Sequence, residues 1–84
     1  MPTIARFYGI RIRMYFERKE HNPPHIHAFY GGYVAAVVIT TGKVLDGKLP
    51  PKALAMVREW VAMNEKELLE LWNTQEFRAI PPLE

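Results

Sequence analysis

Hydrophobic and polar positions alternate most cleanly over residues 10–16. Ile10, Ile12, Met14 and Phe16 fall on one side, Arg11, Arg13 and Tyr15 on the other. A period of two over this length predicts a half-buried strand with a solvated basic face. The shorter run 3–8 predicts a second strand, with Gly9 between them as a tight turn or a bulge. Residues 17–24 are polar and end in Pro23-Pro24, a doublet that a central strand cannot hold, so a loop is expected there. Residues 25–30 and 33–41 read as a hairpin joined at Gly31-Gly32, a turn that tolerates positive φ at both central positions. The second arm, Tyr33 to Thr41, is rich in β-branched residues and apolar on both faces, which marks it as the central strand. A short run Val44-Leu45-Asp46, ended by Gly47, completes the strand-forming part.

The period then changes. Pro50-Pro51 suits the first turn of a helix, where the missing N–H costs nothing. From Pro51 to Met63 the apolar residues Ala53, Leu54, Val57, Trp60 and Val61 recur every three or four positions, leaving Lys52, Arg58 and Glu59 outside the stripe. Asn64-Glu65-Lys66-Glu67 has the form of a capping box, predicting a second helix with Leu68, Leu69, Leu71 and Trp72 on its apolar face. Trp60 and Trp72 are expected in the core or the helix interface, and Met14, Met56 and Met63 as gap fillers. Residues 77–84 predict an extended tail lying on the body. The expected fold is α+β, an antiparallel β-meander of four to five strands followed by two helices packed on one sheet face. A single domain is expected over 1–84, with strands in 1–47, helices in 50–76 and the tail in 77–84.

Composition narrows the function classes. Eighty-four residues hold one core, with a thin stability margin at this size. The absence of cysteine excludes disulfides and thiolate metal sites. A formal net charge of +2 and a pI of about 9.1 permit an anionic partner without demanding one. No membrane span and no signal peptide are read from the chain, so a cytoplasmic protein is expected. Nothing calls for a cofactor, and a homodimer is compatible with everything above.

The chemistry gathers in one stretch. All three histidines, His21, His25 and His27, lie between Glu20 and Gly31. On a strand, His25, His27 and Phe29 point one way and Ile26, Ala28 and Tyr30 the other. The apolar pair Ile26 and Ala28 suits the core, which sends both histidines to the open face. Beside residues 10–16, they would share that face with Arg11, Arg13 and Tyr15. Three functional readings follow, with a fourth that is purely structural. His25 and His27 form an acid/base pair for RNA cleavage, since imidazole, with an ordinary pKa of about 6.5, serves both roles near neutral pH. Arg11 or Arg13 would then stabilise the phosphorane, and His21 would orient one of the pair. Alternatively, His21, His25 and His27 hold a divalent metal, with Glu20 as a fourth ligand or as support for the others. In the third, the face binds nucleic acid or protein without chemistry, through Arg11, Arg13 and His21, with Tyr15, Phe29 or Tyr33 for stacking. In the fourth, the histidines bond backbone carbonyls and hold the Pro-Pro loop.

The residues also carry a family resemblance. Pro2-Thr3-Ile4, Phe7-Tyr8-Gly9-Ile10, Met14-Tyr15, His21-Asn22-Pro23-Pro24-His25-Ile26-His27-Ala28, Leu45-Asp46-Gly47-Lys48-Leu49-Pro50, Glu59-Trp60 and Leu68 to Trp72 recur in this order. Together they resemble the bacterial domain-of-unknown-function family numbered 4160, over nearly the whole chain. Glu20 stands where aspartate is usual, so an acidic group is kept. The resemblance implies a small prokaryotic protein, often encoded beside a second small family numbered 2442, in pairs that look like toxin–antitoxin modules. It implies a small cognate protein as partner and, if this chain is the toxin member, RNA as the target. The place to look for the partner's contact is an apolar patch on a helix or on the Ile80–Leu83 tail.

Overall fold

The computed structural model describes residues 3–15 and 23–83. They form β1 (Thr3–Phe7), β2 (Ile10–Arg13), β3 (His25–Tyr30), β4 (Tyr33–Val38), β5 (Val44–Lys48), α1 (Pro51–Met63) and α2 (Glu65–Thr74). The strands pair antiparallel in chain order, β1-β2-β3-β4-β5, the upper end of the expected meander. The α+β layout is as the periodicity predicts.

One side of the sheet makes the core. Ile10, Ile12 and Met14 join Ile26, Ala28, Ala35, Val37 and Ile39 in a buried cluster with Ala53, Val57, Trp60 and Val61 of α1 and Leu68 and Leu71 of α2. Each larger side chain so buried contributes roughly 1.5–3 kcal/mol relative to exposure. The alternation that fills this face necessarily sends the other residues of β2 and β3 to the opposite one. Met14 is core as expected, but Met63 is 68% exposed and fills no gap.

Strand boundaries shift for local reasons. Tyr8 and Gly9 both take positive φ (50° and 79°), so Gly9 belongs to a tight two-residue hairpin loop, not to a bulge. β4 ends at Val38, short of Thr41, because the backbone turns there: Gly42 N donates to Val38 O and Val38 N to Lys43 O, both at 2.8 Å. β5 does not stop at Gly47 but runs through it to Lys48. Its pairing jumps from Ala36↔Asp46 to Val37↔Val44, which leaves Leu45 as an extra, bulged residue. Gly47, at φ 74°, is required by space as well as conformation, since a Cβ would lie 2.1 Å from the Val34 carbonyl oxygen.

The helix junction differs from a capping box. The Asn64 side chain makes no cap bond to α2; its Nδ2 donates back to Trp60 O at 2.9 Å and finishes α1. A single residue thus separates the helices, and Gln75, left-handed at φ 60°, ends α2. The tail lies on the body as expected. Ile80 N donates to Ile4 O and Trp60 Nε1 to Pro81 O, each at 2.8 Å, and Ile80 and Leu83 are buried. Ile80 and Leu83 of the tail are therefore spent on the core, while Ala79, Pro81 and Pro82 stay exposed. Among the described residues, no helix is long and apolar enough to cross a membrane.

Candidate functional site

The Pro-Pro link is tied down at both carbonyls. Pro24 O accepts from Ile39 N and Pro23 O from His25 Nδ1, each at 2.9 Å. A carbonyl only accepts, so Nδ1 carries the proton in this bond and Nε2 is left as the ring's other site. His25 opens β3, and its ring meets Trp72 of α2 at 5.2 Å between centroids. Only 6% of the residue is exposed. Its cross-strand neighbour Val38 is buried too. His25 is therefore a seated side chain, held by a backbone carbonyl and an indole.

His27, two residues on, has different surroundings. It is half-buried, stacks on Tyr15 at 4.4 Å with 15° between the planes, and meets His25 edge-on at 5.1 Å. Its cross-strand neighbour on β2 is Arg13. The expected juxtaposition of β2 with β3 is thus present, and Arg11, Arg13, Tyr15, His27 and Phe29 share the face opposite the core. Arg11 and Arg13 both lay their guanidinium groups against the Phe29 ring, 5.5 and 5.2 Å from its centroid. Arg13 Nε also donates to Thr3 Oγ1 at 3.3 Å. Tyr33 is not part of this face: it opposes Tyr30 at the hairpin end and so shares the helix side.

The register adds residues that periodicity alone did not single out. Arg6 of β1 stands directly opposite Arg11, Arg11 opposite Phe29, Phe29 opposite Val34, and Val34 opposite Lys48. One transverse row thus spans all five strands. A parallel row runs Arg13, His27, Ala36, Asp46. Nothing in a one-dimensional pattern links Arg6 or Lys48 to residues 11 and 29; only the pairing does. Among the described residues the ion pairs join Arg78 to Glu67 and Glu70, and none reaches Arg6, Arg11 or Arg13. His21 and Glu20 lie outside the described residues. Among those described, no three His, Asp or Glu side chains converge as a metal set.

A family model described as "Domain of unknown function (DUF4160)" matches residues 9–73, most of the chain. The chain belongs to the DUF4160 family. No curated protein and no solved structure matches it. The DUF4160 match runs from β2 to Asn73 near the end of α2, and takes in the Pro-Pro link, both described histidines and every residue of the two rows except Arg6.

Proposed function

We propose that this DUF4160 protein binds RNA on the sheet face opposite its core, as the RNA-contacting member of a toxin–antitoxin-type pair with a small cognate protein. The carrying observation is the crowding of cations there. Arg11 and Arg13 lean on one phenyl ring, Arg6 faces Arg11 across the strands, and no carboxylate among the described residues lies within ion-pair distance. Like charges placed directly opposite one another oppose folding, and an anion between them relieves the repulsion. Phosphates supply that anion, and the neighbouring rings, Phe29 and the Tyr15–His27 stack, suit bases.

Any hydrolytic step on the bound RNA falls to His27, the imidazole beside Arg13. His25 is a positioning residue, because its Nδ1 is engaged by Pro23 O and its ring is enclosed. The partner's seat falls on the helix side, where Met63 stands exposed between Asn64 and Ala62.

The test is fluorescence anisotropy with labelled RNA at several salt concentrations. Wild-type protein is expected to bind and to weaken steeply with salt. The Arg11→Ala/Arg13→Ala double variant should lose at least ten-fold in affinity and flatten the slope of log K against log salt by about 1.4, two single-strand phosphate contacts. Equal binding by the double variant overturns the proposal. A His27→Ala protein that still binds and cuts RNA removes the hydrolytic role.

A further inference from the structure

The geometry points to a single-stranded RNA lying across the strands along the row Arg6, Arg11, Phe29, Val34, Lys48, with Lys48 as a phosphate contact remote from the arginine corner. This rests on the RNA reading of the open face and specifies the ligand and its path.

Three observations select this row. Its order is cation, cation, aromatic, aliphatic, cation, and each step is a direct cross-strand pair. At about 4.8 Å per strand, the four steps cover on the order of 19 Å, room for a few extended nucleotides. Phosphates at the two ends and bases over the middle match that order. Val34 in the middle is 42% exposed, so its apolar surface is open to a base lying over it.

The parallel row is unsuited. It passes over the buried Ala36 and ends on β5 at Asp46, whose carboxylate repels a phosphate. Lys48 and Asp46 stand two residues apart on β5, so the same edge offers one attractive and one repulsive terminus. A strand that starts at the arginines is steered toward Lys48.

The ligand is single-stranded because a duplex keeps its bases stacked inside and away from Phe29 and Val34. Modules that read duplex RNA grip about 16 base pairs across two successive grooves. The cations here sit along one short line on a molecule whose longest extent is 30 Å. A flat sheet carrying rings between cations is the surface on which unpaired bases stack.

The experiment measures binding of labelled hexauridylate by wild type, Lys48→Ala, Lys48→Gln and, as a control on the helix side, Lys66→Ala. Each protein's fold is checked by circular dichroism. The row predicts a three- to ten-fold loss for both Lys48 variants, a salt slope shallower by about 0.7, and no change for Lys66→Ala. Phe29→Leu, which keeps apolar bulk, should lose about ten-fold. Hexanucleotide binding that depends on Arg11 and Arg13 but ignores Lys48 and Phe29 overturns the row and leaves the RNA surface standing. A duplex of equal length bound as tightly overturns the single-strand assignment. Wild-type protein that binds no RNA at low salt removes both this inference and the reading beneath it.

Discussion

His25 and Phe29 lie on the same side of one strand, yet they occupy opposite kinds of environment. At the His25 end a backbone carbonyl, an indole and a buried valine close around the ring. At the Phe29 end two guanidinium groups lie against the ring, and the next two strands offer a half-exposed valine and a lysine. Sharing a face is a property of the backbone; being reachable depends on what other elements bring to that face. Trp72 and the Pro-Pro link close one end, and nothing from the helices covers Arg6 or Val34 at the other. The first end holds the fold, and the second carries the charge.

That division can be broken from either side. The largest effect is expected from Gly47→Ala, which adds a Cβ 2.1 Å from Val34 O at a positive φ. A loss of at least about 3 kcal/mol follows, read as a fall in Tm of roughly 12 °C or more. Amide exchange should quicken in β4 and β5 while β2 and β3 stay protected. Uniform loss of protection would mean that the two ends are not separable.

His25→Ala comes next. It strands the Pro23 carbonyl and empties the space beside Trp72, at a cost of about 2 kcal/mol, or roughly 8–16 °C in Tm. His25→Asn, whose amide nitrogen sits near the position of Nδ1, should recover about half of that. RNA affinity of folded His25→Ala should stay within about two-fold of wild type; a collapse of affinity at unchanged fold would place His25 in the binding machinery after all.

The smallest effect has the opposite sign. Arg6→Gln relieves the direct Arg6–Arg11 opposition, so Tm should rise by ~2 °C at low salt and the gain should vanish near 1 M salt. The same variant should bind RNA more weakly. A Tm that falls, or one that rises equally at all salt concentrations, would show that the two arginines do not repel.

Much of the scaffold was legible from period alone. The strict alternation at 10–16 places Arg11 and Arg13 away from Ile12 and Met14, and the three-four spacing sets α1 at Pro51–Met63. Local glycines marked the Tyr8-Gly9 and Gly31-Gly32 hairpin loops, and prolines the Pro23-Pro24 link before β3; the rest of the loop expected over 17–24 lies outside the described residues. What escaped depends on contacts between distant residues. The capping-box pattern at Asn64 was overridden because its amide bonds the carbonyl of Trp60, ending α1 so that α2 can start at once. The unequal fates of His25 and His27 follow from Trp72, nearly fifty residues away in sequence, which no strand-face argument includes. Arg6 and Lys48 were invisible as site residues because register, which a single strand's pattern does not contain, is what aligns them with Phe29.

The bond from Ile80 to Ile4 has a consequence for how the chain folds. Every strand pairs with its neighbour in sequence, so the sheet can zip by short loop closures, which are fast. The contact between the tail and β1 is the exception, joining the two ends of the chain, and its closure comes last. It should also be the first to open in the native state, exposing the β1 edge briefly while the meander beneath stays paired.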